Sequence, residues 1–459
     1  MKSGLKQQKA VLLRPAYPYG KPQIWFPTDL YKVAATLDHA GIVTDVIDLN
    51  LTPFPTDIET YDYIGIGVIG SPYVPGTIKL AEEVRLQSGK EPLIGGPGVE
   101  HFSPEEFRQL YGTSLQVKNE QDLSTIVGRT LPSVYDTSIA ERIKAMNPEQ
   151  LKTYLETEFS FFLSQGCKYT CDFCAASRTR PGEKVTEQYS ETIQQDLEAL
   201  AQSASKFNIP ALTLYLTSLD LFQTPAAVRN ALNLFARTSQ EYGIEFRLRG
   251  LSRVDSFLTA LHQEPTLYNS IPEAGLETVG FGIDGTTQAV WKSQHKGLRT
   301  LSEADLAFAT CMELGITPEA LMVMGFHDKN GMPVDNKDSL QQNVDYSISS
   351  ADTYGAVARP HIAKDLVPGN SGWKNPVWNE QRQQLLSNPH FFKNLDFVAL
   401  ASEITHPDPV FRAEVNYAYL QIINRLTGRC ATNPLLAYSN DPTLDEGVDN
   451  YNSRTPFDK

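Results

Sequence analysis

Over the first 130 residues, short apolar runs rich in Val and Ile alternate with longer stretches in which apolar residues recur every three or four positions. That is the rhythm of parallel strands joined by crossover helices. Residues 9–13 (Lys-Ala-Val-Leu-Leu) predict a first strand; Leu30, Val33, Ala34 and Leu37 then mark one face of a helix that Gly41 stops. Further strands are expected at 42–48, 63–69 and 92–94, the last two ending in Gly70-Ser71-Pro72 and Gly95-Gly96-Pro97-Gly98. In open α/β sheets ligands sit beyond the carboxyl ends of strands, and glycine there lets a ligand approach the backbone. Residues 131–157 contain Pro132, Pro148 and mixed charges without a strong period, and are read as a linker. Beyond it, strands near 159–163, 211–217, 245–249, 278–283, 318–324 and 355–360 alternate with helical patterns. Six strand–helix units predict a partial or complete barrel.

The expected class is therefore α/β, with a Rossmann-like doubly wound parallel sheet over 1–130. A linker over 131–157 and a β/α barrel over 158–360 follow, then a mostly helical C-terminal extension or cap over 361–459, containing Trp373, Trp378 and an apolar helical run at 410–426. A chain of 459 residues with 41% hydrophobic and 20% charged positions can bury cores for two domains, which excludes a disordered or fibrous protein. Forty basic against 54 acidic residues leave a net charge of −14 with no basic run, which disfavours broad attraction to nucleic-acid backbones. No segment approaches the roughly 20 apolar residues of a membrane span, and the start MKSGLKQQKA lacks a signal-peptide core, so a cytoplasmic protein is expected, with neither nucleic acid nor membrane as a partner.

Cysteine usage narrows the chemistry. Cys167, Cys171 and Cys174 stand at C-x3-C-x2-C spacing directly after the first expected barrel strand, and Cys311 and Cys430 complete a total of five. Thiolates suit iron–sulfur clusters, and a short loop can place three sulfurs on three irons of a cubane, leaving the fourth iron without a nearby protein ligand. Structural zinc would need a fourth donor, and the nearest histidines in sequence are His101 and His262. Zinc and three merely buried thiols are the alternatives. Cys311, in a helical run with Leu306, Ala307 and Leu314, and Cys430, after Gly428-Arg429, read as buried structural thiols.

On this motif, with Phe173 just before the last cysteine, the chain resembles the radical S-adenosylmethionine (radical SAM) superfamily. The resemblance implies a 4Fe-4S cluster on Cys167, Cys171 and Cys174 and a TIM-type barrel. It also implies that the open iron is chelated by the amino and carboxylate groups of SAM, whose reductive cleavage yields a 5′-deoxyadenosyl radical. A closed four-cysteine site would leave no room for the sulfonium. Glu273 to Gly285, followed by Lys292, His295, Lys296 and Gly297, is similar to the superfamily's fourth strand, with Asp284 where most relatives carry glutamate. The run at 214–222 falls where relatives contact the SAM amino group, with Asp220 as the acid there; Arg249 and Arg253 offer forks for the SAM carboxylate or else ordinary ion pairs. Met322-Val323-Met324 falls where relatives pack the adenine, and is equally good plain core. The SAM-site expectation is thus Phe173, Asp220, Arg249, Arg253 and Asp284. An electron donor such as flavodoxin or ferredoxin is implied as a partner.

The order of Arg14-Pro15, Ile47-Asp48-Leu49-Asn50, Gly70-Ser71-Pro72 and Gly95-Gly96-Pro97 ahead of the cysteines resembles the cobalamin-binding domain of one large radical SAM subgroup. It implies cobalamin near Ser71, Gly95 and Gly96, and methyl transfer to an unreactive carbon of a small molecule or peptide. The stretch at 48–53 lacks the Asp-x-His-x-x-Gly histidine, so no histidine ligand to cobalt is expected from that loop, which the resemblance to this subgroup tolerates. The same features fit a domain that has lost cobalamin, in which case Ser71, Gly95 and Gly96 are ordinary turn residues. Three functions stay open: a cobalamin-dependent radical SAM methyltransferase; a radical SAM enzyme of rearrangement, cyclisation or oxidation; and a non-catalytic cluster- or cobalamin-binding module. His327-Asp328 and Arg359-Pro360-His361, after the fifth and sixth expected barrel strands, are candidate substrate contacts or solvated loop groups, and His295 is expected on the surface.

Overall fold

The computed structural model describes residues 7–16, 24–69, 73–99, 102–113, 115–117, 120–171, 174, 185–328, 330–363, 375–380, 382–383 and 406–430. The chain divides into two compact units, one of residues 1–164, 186–215 and 237–246, the other of residues 165–185, 216–236 and 247–459.

In the first unit, β1 (Lys9–Arg14), β2 (Val43–Asp48), β3 (Tyr63–Gly67) and β4 (Leu93–Gly95) form a parallel sheet in the order β2-β1-β3-β4, with α1 (Thr28–His39) and α2 (Val74–Ser88) as crossovers. The apolar stripe of α1 accounts for its packing, since Leu30, Ala34 and Leu37 bury against Ala10 and Leu12 in one cluster. At the carboxyl edge, Arg14 and Asp48 face each other in register and are both fully buried, with 3.0 Å between Nη1 and Oδ2. Trp25 covers the guanidinium at 4.7 Å and its carbonyl accepts from Nη1 at 2.7 Å; Tyr154 donates its hydroxyl to Asp48 at 2.8 Å. Asp48 also accepts from the Asn50 backbone and side-chain nitrogens at 2.9 and 2.7 Å, so the 48–53 turn is closed by its own groups.

After β4 come α3 (Pro104–Tyr111) and α4 (Glu120–Val127). The segment 131–157 carries two helices, α5 (Ala140–Ala145) and α6 (Pro148–Leu155). Each is too short to show a period. Pro148 there starts a helix instead of breaking one, because it occupies the first helical turn behind the Asn147 cap, where a missing N–H goes unnoticed.

Glycines 95 and 96 serve the fold's own close contacts. Gly95 bridges to Val117, and a Cβ there would lie 2.7 Å from the Val117 carbonyl oxygen. Gly96 has φ +112°, and its Cβ would lie 2.7 Å from the Val68 oxygen. Gly96→Ala is therefore expected to destabilise the protein by about 1–3 kcal/mol, the usual range for a strained backbone position, read as a lowered urea midpoint.

The larger sheet has the order β12-β11-β10-β9-β8-β5, from β5 (Phe159–Phe162), β8 (Ala211–Thr217), β9 (Glu245–Ser252), β10 (Leu276–Gly282), β11 (Thr317–Met324) and β12 (Val357–Ile362). Between β5 and β8 lie the two-residue strands β6 (Ser164–Gln165) and β7 (Thr186–Glu187) and α7 (Ser190–Lys206). β9 to β12 pair in parallel, placing Leu251 opposite Gly280, Gly280 opposite Glu319, and Leu321 opposite Arg359. This is a partial β/α barrel, with α8 (Pro225–Tyr242), α9 (Val254–Gln263), α10 (Leu267–Ala274), α11 (Gln288–Ser293), α12 (Leu301–Glu313) and α13 (Lys337–Tyr354) between its strands. One face of each strand is apolar and buried; Phe222, Phe257, Phe281, Phe308 and Tyr354 form a chain of ring contacts 5.0 to 5.9 Å apart. Met322 and Met324 belong to this core and are fully buried, as is Cys311, whose thiol is pushed up by burial.

The described part of the extension includes α14 (Pro409–Arg425), after which Cys430 forms a parallel bridge to Ala358 of β12; burial pushes the Cys430 thiol up to about 12. His327 is not the solvated loop group that its position suggests. It is buried and stacks on His406 at 4.4 Å, with Trp378 and Phe411 at the ring edges, because the extension covers the end of β11. His406 accepts the Asp408 N–H at Nδ1, which fixes its other nitrogen as the donor to the Gly331 carbonyl, and burial lowers its pKa below the ordinary value. The neutral ring is the folded form. Stability from this contact is complete above about pH 6.5 and declines as the pH falls through that value toward the lower folded one. Melting curves between pH 8 and 5 are expected to show an acid loss that is smaller in His406→Gln. His295 is exposed, as expected.

Candidate active site

The cysteine loop leaves the barrel sheet through Gly166, which has φ +86°. Gln223, on the turn after β8, holds the loop on both sides of Cys167: Nε2 donates to the Gly166 carbonyl at 3.1 Å and Oε1 accepts from Lys168 N at 3.3 Å. The Cys174 N–H donates to the Cys171 carbonyl at 3.2 Å, so the second and third cysteines share one turn. Burial pushes both the Cys167 and Cys171 thiols up; at Cys171 the charges of Lys296 and Arg253 oppose it. Among the described residues, no three His, Cys, Asp or Glu side chains converge as ligands of one metal ion would. Phe173 and Ser71 lie outside the described residues.

Arg253 sits at the junction of β9 and α9, in direct contact with this loop. Its Nη1 donates to Cys171 Sγ at 3.2 Å, and its guanidinium lies over the Tyr169 ring at 3.8 Å. Asp255 grips the other side, accepting from Nε and Nη2 at 2.9 Å each. Burial would lower the Arg253 pKa, but Asp255, with Cys171 and Tyr169, opposes it and the net shift is upward. Tyr169 is itself tied to Ser256, hydroxyl to hydroxyl, at 2.8 Å. Asp220 is buried behind these groups, accepting from Ser252 Oγ at 2.8 Å, Ser256 Oγ at 2.5 Å and Arg253 N at 3.2 Å. Burial raises its pKa against the opposing pull of the two serines. Arg249 lies within β9, half-buried and in register with Thr278.

Asp284 follows β10 in a left-handed conformation, φ +52°, and forms a buried ion pair with Lys296. Lys296 Nζ also donates to the Gly282 carbonyl at 3.0 Å, and Trp291 Nε1 to the Ile283 and Gly285 carbonyls at 3.0 Å. Gly282 lets this pair pack closely, since a Cβ would lie 2.7 Å from Lys296 Nζ and would push it aside. Deeper in the barrel, Arg359 pairs with Glu319 at 2.6 Å.

No protein-family model and no curated protein matches the sequence. Solved structures do match. The radical S-adenosylmethionine methyltransferase TsrM from Kitasatospora setae, solved with cobalamin and a 4Fe-4S cluster, aligns over 78% of this chain and 75% of its own, with a TM-score of 0.58 and 15% identity. The cobalamin-dependent S-adenosylmethionine radical enzyme OxsB, solved with aqua-cobalamin, aligns over 87% of this chain and 58% of its own, with a TM-score of 0.56 and 14% identity. The fold is that of the cobalamin-dependent radical SAM enzymes.

Within this radical SAM fold the structure draws Cys167, Cys171, Cys174, Asp220 and Arg253 into one neighbourhood with Tyr169, Gln223, Ser256 and Lys296. The last four carried no sequence signal of their own. Tyr169 and Gln223 are ordinary loop residues until the barrel brings β8 and β9 beside the cysteines, and Lys296 stood in a run noted only for its resemblance. Gly95 and Gly96 lie at the carboxyl end of β4, where Val117 and Val68 leave no room for a side chain.

Proposed function

We propose that this chain is a radical SAM enzyme. The observation that carries the reading is the Arg253 N–H aimed at Cys171 Sγ within a three-cysteine loop: a buried guanidinium facing sulfur suits a thiolate, and three thiolates suit a cubane with one open iron. Cys167, Cys171 and Cys174 would hold a 4Fe-4S cluster, which when reduced supplies one electron to the sulfonium of S-adenosylmethionine. For S-adenosylmethionine the chain offers Arg249 on β9 and the Asp284–Lys296 pair after β10. Asp220 acts behind them, holding the Arg253 backbone and the two serines.

The finer proposal is a cobalamin-dependent methyltransferase acting on an unactivated carbon of a small molecule or peptide, with flavodoxin or ferredoxin as electron donor and a domain division of 1–130, 131–157, 158–360 and 361–459. It is supported by the likeness to TsrM, also solved with tryptophan substrate and a SAM analogue, and to OxsB. Gly95 and Gly96 make the fold's own close contacts with Val117 and Val68, and Ser71 lies outside the described residues, so no step is derived through cobalt. The missing Asp-x-His-x-x-Gly histidine at 48–53 is the feature that supports a second reading, radical chemistry without methyl transfer. Anaerobic reconstitution separates the two. Bound cobalamin and transfer of labelled methyl groups from S-adenosylmethionine to product support methylation; a cluster-loaded protein that refuses cobalamin and yields 5′-deoxyadenosine without S-adenosylhomocysteine selects the other.

A further inference from the structure

We infer that Arg253 is a positioning residue for the cluster itself: its guanidinium holds the Cys171 sulfur and raises the reduction potential of the metal centre. The inference rests on the cluster reading above. From sequence, Arg253 is expected either to meet the carboxylate of S-adenosylmethionine or to form an ordinary ion pair. The geometry shows the ion pair and adds a sulfur contact. The fork formed by Nε and Nη2 is occupied by Asp255 at 2.9 Å on both arms, and Nη1 is turned to Cys171 Sγ at 3.2 Å. A second carboxylate approaching as a fork would have to displace Asp255. The group is also locked from every side. Tyr169 stacks on one face, Asp220 accepts from the backbone N–H, and Gly297 packs so closely that a Cβ there would displace the guanidinium and Asp255 from their present positions. A side chain only 10% exposed and held at this many points is built to present one N–H in one direction.

An N–H donated to a cluster sulfur, backed by a full positive charge, stabilises the reduced state because that state carries one more negative charge. Arg253→Met keeps the bulk and removes both effects. EPR-monitored redox titration of the anaerobically reconstituted full chain is expected to show the one-electron reduction equilibrium weakened about tenfold, a fall of about 59 mV. Arg253→Lys, which keeps charge but not the fork, is expected to fall less, with the reduced-cluster signal broadened by a less fixed Cys171. Should Arg253→Met fail to fold, Arg253→Gln, a neutral donor, must shift the midpoint in the same direction. An unchanged midpoint in the folded variants overturns the inference, as does weakened S-adenosylmethionine binding without any shift, which would return Arg253 to the substrate carboxylate. Wild-type protein that assembles no 4Fe-4S cluster overturns the underlying reading instead, and is recognised by its iron and sulfide content before any variant is compared.

Discussion

Cys171→Ala is expected to abolish S-adenosylmethionine cleavage and to strip most of the iron and sulfide from reconstituted protein. The thiol is at the centre of the site. Cys171 shares a turn with Cys174 and is the sulfur that Arg253 faces. Removing it leaves two donors for a cluster that needs three, so the loss must exceed the about 10–100-fold that follows from removing a mere supporting residue. It also leaves a buried guanidinium facing a methyl group. Cys311→Ala is the matched control: that thiol is fully buried in α12, and its loss is expected to reduce stability slightly while leaving the cluster in place. Iron and sulfide assays with 5′-deoxyadenosine measurement decide between these outcomes. Equal iron in Cys171→Ala and wild type would contradict the assignment.

The largest expected effect on stability lies in the first unit. Asp48→Ala removes the partner of an arginine with no solvent exposure, together with the acceptor of the Tyr154 hydroxyl and the anchor of Asn50. Breaking one side of a buried pair leaves an uncompensated charge and costs about 3–5 kcal/mol, a large part of the about 5–15 kcal/mol that holds a typical domain together. Asp48→Leu combined with Arg14→Met is expected to be milder than Asp48→Ala alone, because neither charge remains. Urea unfolding followed by far-UV circular dichroism measures the difference. A single variant as stable as wild type would show that Arg14 finds another partner or water.

Much of this architecture was legible along the chain, for a physical reason. Strands buried on one or both faces are written as runs of branched apolar residues, and β8 appears at 211–217, the range read from its alternation. The cysteine spacing is likewise local, since three thiols in one loop need no long-range information. What escaped was everything set by distant neighbours. Arg249 and Arg253 look alike in sequence, and only the end of β9 decides that the second reaches a sulfur. Lys32, on α1, forms a buried ion pair with Asp196 on α7, two unremarkable charges separated by most of the first unit's chain. His327 reads as a loop histidine until the extension stacks His406 on it. Gly95 and Gly96 read as ligand glycines because a sheet's carboxyl edge is where ligands bind; the contacts with Val117 and Val68, which leave no room for a side chain, could not be read from the sequence.

The central claim is that three cysteine sulfurs leave one iron of a cubane free for S-adenosylmethionine. Mössbauer spectroscopy of the iron-57 reconstituted protein, with and without S-adenosylmethionine, tests it most directly. The account predicts one iron site whose parameters differ from the other three and shift when S-adenosylmethionine is added. Four irons that ignore it, or a reconstituted protein that takes up zinc and no cluster, would contradict it.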